Sequence, residues 1–316
     1  MVEPSMIEPS MIARSTIARS TIARNSVAKA VRRALQRALL RLGATAVVGG
    51  LLCTVLVRFS PGFGLDERQL DARLSHESQQ ALRGAHDEER STLRFYITFW
   101  KRVLTGDLGF SQSFNQPIGA LLKQRAPATA ELAMWGIGYA WAVALLLSLP
   151  CVSPVLRRLT PAGAVVSGMA ASLPAAAIAI VVFRFGGSTR WMMAIVLFPR
   201  LYQYLRGVLT QAYGMPHVLF ARAKGVNWLP LTWRHVVVPS WTQLVALAAV
   251  SVNMAFGAAV AIEAVCDVPG IGQLAWKAAA ARDLPVLVVL TVLIAMLTQM
   301  ANLVADCCAP WMRGEA

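Results

Sequence analysis

The chain has 316 residues, 56% of them hydrophobic and 15% charged, with a mean hydropathy of +0.54. That balance excludes a disordered chain and speaks against an ordinary soluble domain. Thirty Lys and Arg against sixteen Asp and Glu give a formal charge of +14, but the basic residues flank long apolar runs rather than gather on a soluble face. This favours a multi-span membrane protein in contact with anionic lipids over a partner of nucleic acid.

In chain order, residues 1–30 carry a five-residue repeat (Val2-Glu-Pro-Ser-Met, Ile7-Glu-Pro-Ser-Met, Ile12-Ala-Arg-Ser-Thr and onward). Its period matches neither a helix face nor a strand face, and it reads as a low-complexity cytoplasmic tail. Residues 31–57 are a basic segment with Arg32, Arg33, Arg37 and Arg41, followed by the apolar run Leu42 to Val57. No small-residue cleavage site follows at Arg58-Phe59-Ser60-Pro61, so an uncleaved first transmembrane helix is expected.

Residues 58–127 are polar, with ten basic and eight acidic residues, and are expected to form a small extracytoplasmic helical insertion. Helical segments are predicted at 66–82 and 88–104, followed by a Gly- and Ser-rich turn. The cluster Phe95, Tyr96, Phe99 and Trp100 reads as a face lying on the bilayer or the bundle rather than a ligand site.

Four further runs, Leu132 to Leu149, Ala162 to Phe183, Trp241 to Ile262 and Pro285 to Cys308, have the length of spans. Trp191 to Leu205, interrupted by Pro199-Arg200, is the shortest candidate; parity supports it by putting both termini on one side. The predicted fold is therefore an all-α polytopic bundle of about six transmembrane helices, with a core at 128–310, a loop at 207–240 and a tail at 311–316. With the amino terminus inside, inner segments carry fifteen Lys and Arg, whereas the short outer loops carry Arg184, Arg190, Lys277 and Arg282. The positive-inside rule then predicts both termini and the 207–240 loop to be cytoplasmic.

Catalytic and metal motifs are missing from the sequence: there is no G-x-S-x-G, no H-E-x-x-H and no nucleotide-binding G-x-x-x-x-G-K-[ST]. The five cysteines lack C-x-x-C spacing and read as packing residues. The chain is thus expected not to be an enzyme and to bind no cofactor or metal itself. In the 207–240 loop, small Ala221 and Ala223 allow close helix docking. Gly225 suits the left-handed residue that ends a helix, Asn227 is placed to cap the next one, and Pro239 breaks the chain before the following span. This pattern is that of a short surface helix held by two spans, which serves either as a mechanical lever or as an interfacial helix fixed by Arg and Trp anchors.

Ala221-Arg222-Ala223-Lys224-Gly225 followed by Arg234-His235 resembles the coupling loop of the inner-membrane permease subunits of binding-protein-dependent ABC importers, in the dipeptide, oligopeptide and nickel branch. Gly106 to Ser111, Gln116-Pro117-Ile118 and Pro127 to Leu132 are similar to that family's first periplasmic loop and second span. Glu263 to Gly272, Ala281 to Val286 and Asn302 to Asp306 are similar to its last loop and span. The resemblance spans about residues 31–310 and implies a type I importer fold in the bacterial inner membrane. It implies as partners cytoplasmic ABC ATPases carrying ATP and Mg, a second homologous permease, and a periplasmic or lipid-anchored binding protein, with short peptides as the expected solute. Ala221, Arg222, Ala223, Lys224, Gly225, Arg234 and His235 would then couple to the ATPase.

Candidate pathway or gate residues are Glu131, Arg200, Asn253, Glu263, Pro269, Gly270 and Gly272. For Asn253 interhelical hydrogen bonding, the commoner use of such a residue, stands beside pathway lining; Arg200 could snorkel or pair with an acid, and Pro174 and Pro199 are candidate kinks. The stretch from Leu173-Pro174 to Tyr202 is shorter than in that family. This keeps open a transport-inactive scaffold or degenerate relative, and the solute remains open to nickel chelates, glutathione or antimicrobial peptides.

Overall fold

The computed structural model describes residues 36, 40–57, 59, 92–152 and 160–312. The expectations for the repeat tail, the basic segment before Leu40, the helix at 66–82 and the last four residues lie outside them. Among the described residues the chain is helical apart from one short ladder, as the all-α expectation requires.

Helix α1 is Leu40–Val57, close to the expected first span. Helix α2, Thr92–Leu104, turns Tyr96 and Phe99 inward, each 8% exposed. The Tyr96 hydroxyl donates to the Val47 carbonyl of α1, so Tyr96, Phe99 and Trp100 of the aromatic cluster lie on the bundle. A two-residue ladder pairs β1 (Phe110–Ser111) with β2 (Gln116–Pro117) where the sequence predicts a Gly- and Ser-rich turn.

Helix α3 runs over Ile118–Ser148, starting fourteen residues before the apolar run that marked it in the sequence. At about 1.5 Å per residue it is roughly 46 Å long, well beyond a bilayer's hydrocarbon core. Pro117 supplies a pre-set extended residue at its start, and its first turns bury Ile118 and Leu121. The expected third span is in fact two helices, α4 (Thr160–Ser172) and α5 (Ala175–Arg184), bent by 94°. Pro174 has no N–H to continue the first helix and holds φ −60°, ψ 138°, which is the break its ring predicts.

Helix α6, Thr189–Tyr213, passes through Pro199 as one element. Its Met192, Met193, Leu197, Leu201, Leu205 and Leu209 are at most 1% exposed. It therefore forms the centre of the larger core, packed against α3 and α8. Helix α7 (Pro216–Ala223) follows, then a single turn at Trp228–Pro230 and a π-helical segment, Leu231–Val237. The chain ends with α8 (Trp241–Val265), α9 (Ile271–Ala280) and α10 (Leu284–Met312).

Among the described residues four helices, α1, α3, α8 and α10, are long and apolar enough to cross a membrane, and the bent α4–α5 pair is a fifth if it counts as one span. Helix α6, expected as the fourth span in chain order, has the length, but Arg200, Gln203, Arg206 and Gln211 from its middle onward make it less apolar. A second core joins α1, α2, the start of α3, α9 and the start of α10 around Ile118, Leu274 and Leu290.

Candidate functional site

The loop between α6 and α8 presents a two-turn helix whose inner face is Val218 and Ala221, at 0% and 5% exposure. Its outer face is Leu219, Phe220, Arg222, Ala223 and Lys224, all exposed. Pro216 stands in the first turn, where its missing N–H costs nothing. The end is a Schellman motif: the Val226 N–H donates to the Ala221 carbonyl at 3.3 Å and the Gly225 N–H to the Arg222 carbonyl at 2.9 Å. Gly225 has φ +76° with open space where a Cβ would stand. It is therefore the backbone conformation, not crowding, that asks for glycine.

Arg222 lies over the Tyr213 ring at 5.0 Å and Lys224 over the Phe220 ring at 4.6 Å. Both cations are thus steadied by their own chain while facing outward. Asn227 holds the expected cap position without making a side-chain cap bond. Arg234 is exposed and His235 half-buried. Pro239 has no N–H to offer the His235 carbonyl four residues back, and that carbonyl instead lies 3.0 Å from His217 Nε2 of α7. This staple ties α7 to the π-helical segment; its only sequence signal is the missing donor of Pro239, which frees a carbonyl eighteen residues from His217.

The opposite end of the bundle gathers Glu263, Pro269, Gly270 and Gly272 into one turn. Glu263 is fully buried. Its Oε2 accepts the N–H groups of Gly272 and Gln273 at 2.7 and 3.1 Å, and its Oε1 accepts the Thr129 hydroxyl at 2.7 Å. Thr129 Oγ1 in turn accepts the Ile271 N–H at 2.7 Å. The first three amides of α9 are therefore capped from α3 and α8 rather than by a neighbouring residue.

Glycine is required here by space: a Cβ on Gly270 would stand 2.1 Å from Glu263 Oε2, and one on Gly272 would stand 2.7 Å from the Val260 backbone. Outward from the cap, Arg125 Nη1 donates to Gln273 Oε1 at 2.8 Å, and Gln273 Nε2 donates to Asp267 Oδ1 at 2.5 Å. The Lys277 ammonium lies 3.4 Å from Asp267. Nearby, buried Asp283 accepts the Ser111 hydroxyl at 2.6 Å and the Ser113 N–H at 3.0 Å. Segments far apart in sequence, 106–111, 127–132, 263–272 and 281–286, thus meet on one side of the molecule.

The remaining candidates stand apart from this cluster. Asn253 is exposed on α8 and accepts the Thr298 hydroxyl of α10 at 3.5 Å, an interhelical bond. Glu131 pairs with Arg190 at the start of α6, whose guanidinium lies 5.8 Å over the Trp135 ring. Arg200 is exposed in the middle of α6. Thr129, Arg125, Asp267 and Gln273 are site residues that the sequence reading left out. Thr129 and Asp267 lie inside marked segments, 127–132 and 263–272.

Four or five apolar spans among the described residues, an α6 core element and a short helix displayed between two long ones describe a multi-span membrane protein. Residues 153–314, just over half of the chain, match the family described as "Binding-protein-dependent transport system inner membrane component", and the chain belongs to that family. A putative peptide permease protein of Brucella ovis is 25% identical over 308 residues, covering 87% of this chain and 96% of its own length. A putative peptide permease protein of Brucella suis biovar 1 is similar to the same extent. The nickel import system permease protein NikB of Staphylococcus aureus strain MRSA252 is 24% identical over 279 residues, 81% of this chain and 83% of its own. The chain is an ABC importer permease of the peptide and nickel branch, a class of transport protein rather than of enzyme.

Proposed function

We propose that this chain is the membrane-spanning subunit of an ATP-driven, binding-protein-dependent importer of short peptides in the bacterial inner membrane. Both termini and the α6–α8 loop face the cytoplasm. The outer face of α7 docks on a partner ATPase, which carries the ATP and Mg, and a second homologous permease and a solute-binding protein complete the importer. The carrying observation is the build of α7: two small or branched residues inward, aromatic and cationic side chains outward, and a helix end set by Gly225. Nucleotide binding shifts the bundle only if the two states hold α7 differently, and the His217 staple passes a displacement of α7 to the segment that starts α8. Peptides are the favoured solute because the Brucella relatives described as peptide permeases are similar over nearly their whole length.

The test is isolation of the tagged chain from native membranes in mild detergent, with mass spectrometry of what accompanies it. An ATPase and a second permease are expected; an intact, abundant chain without an ATPase would overturn the reading. The 94° bend between α4 and α5 favours a second reading, a relative whose altered middle no longer transports. ATP-dependent peptide uptake by the reconstituted assembly separates the two.

A further inference from the structure

At the membrane edge where α1 begins and α10 ends, a cavity opens between α1, α8 and α10, lined among others by Arg41, Ala246, Val250, Gln299, Asn302 and Asp306. Each helix gives it one face. Gln299, Asn302 and Asp306 recur at i, i+3 and i+7 on α10, and Ala246, Ala249 and Val250 at i, i+3 and i+4 on α8. The alanines keep the floor open. Gln299 Nε2 donates to Thr45 Oγ1 at 3.2 Å and so joins α10 to α1.

Across the mouth, Arg41 Nη1 and Asp306 Oδ2 stand 3.9 Å apart with side chains 64% and 59% exposed. They are too far apart for a direct hydrogen bond. Leu40 beside Arg41 is 74% exposed, and on the same turns of α10 Met300 and Val304 are exposed at 52% and 59%. Trp241, the first residue of α8, is 50% exposed and lies about 7.5 Å along the axis from Ala246 at 1.5 Å per residue. Tryptophan at a span end marks the headgroup layer, so the cavity sits where headgroups meet acyl chains.

We propose that this cavity binds a phospholipid bearing a primary ammonium, an ethanolamine phospholipid. Its phosphate lies on the Arg41 guanidinium with the Asn302 amide as a second donor, its ammonium donates to Asp306, and its chains cover Leu40, Met300 and Val304. A guanidinium holds phosphate through several parallel donors. A carboxylate two carbons away selects a head group that carries N–H donors: choline has none to give, and glycerol has no cation. This site is separate from the coupling loop and does not depend on which leaflet the edge faces.

The test is to purify the chain with its native partners in mild detergent and to quantify the retained phospholipids by mass spectrometry, for wild type, Arg41→Gln, Arg41→Lys and Asp306→Asn at matched membrane-extracted yield. Ethanolamine lipid is expected to be enriched over glycerol lipid. Asp306→Asn should lower that preference about tenfold, the loss of a charge-assisted hydrogen bond, while keeping total phospholipid. Arg41→Gln should lose phospholipid of every head group, and Arg41→Lys should restore it in part. An unchanged lipid profile in both Asp306→Asn and Arg41→Gln would overturn the proposal. So would disulfide crosslinking of Asn302→Cys to a neighbouring permease chain with no lipid retained. Soluble phosphoethanolamine should fail to displace the lipid because it lacks the chains. Displacement at low concentration would make this a site for a free phosphate compound and sink the lipid assignment. Recovery of an ATPase in the same preparation reports on the importer reading independently.

Discussion

Glu263 shows how a carboxylate is kept inside an apolar bundle: every acceptor direction it uses is met by an amide or hydroxyl, and the positive end of α9 faces it. Glu263→Ala leaves buried amides without an acceptor and is expected to destabilise the chain by about 3 kcal/mol or more. Glu263→Gln keeps only one acceptor oxygen and should fall in between, both read as thermal midpoints in detergent. Thr129→Val removes a hydroxyl that both donates and accepts, and about 1–3 kcal/mol should go with it in the same measurement. At Gly225, a valine would have to hold φ +76°, a conformation costing roughly 1–2 kcal/mol for a side chain with a Cβ. Gly225→Val should therefore insert normally in the membrane and lose ATPase coupling and uptake. Normal peptide uptake by that variant would remove α7 from the coupling path. The need for glycine at 225 was legible in the sequence, because a left-handed helix end is a local matter. The cap on Glu263 was not: composition makes Glu263 a costly polar residue but cannot name Thr129, 134 positions away, as its partner.

At the scale of elements, hydropathy found the apolar stretches and missed where helices begin or break. Helix α3 starts in polar sequence because its first turns pack on α9 and α10 rather than on lipid. The α4–α5 bend falls inside one apolar run, where no change of composition marks it; Pro174 was the only local sign. Pro174→Ala restores the missing donor and should straighten the pair, which a change in the distance between spin labels at positions 163 and 183 would report. An unchanged distance would assign the bend to packing against α6. The π-helical segment, Leu231–Val237, is invisible to periodicity because seven residues of wider winding leave no repeat of their own. His217→Ala should leave the His235 carbonyl without its ring partner, cost about 1 kcal/mol and loosen α7. Faster proteolytic cleavage in the 214–240 loop, with the rest of the chain intact, is the readout.

For the whole molecule, two cores divide the labour. One is built around α6 and reaches the α7 loop; the other ties α1 and the aromatic face of α2 to α9 and α10. The all-helical class, the spans at either end and the position of the displayed loop could all be read from charge and apolar length. The joining of the two cores could not, because it runs through long-range contacts such as those of Thr129 on α3 with Glu263 of α8 and Ile271 of α9. The Glu263 turn is the place where this joint has consequences for descent. A side chain at position 270 is excluded while the Glu263 carboxylate occupies that space and one at position 272 while the Val260 backbone does, and the carboxylate is needed only while α9 starts there. Positions 263 and 270 are therefore bound to change together, whereas position 272 is held by the backbone of α8. A homologous chain that has lost the acid at the place of Glu263 should be the one in which the glycine of position 270 has been released to become something larger.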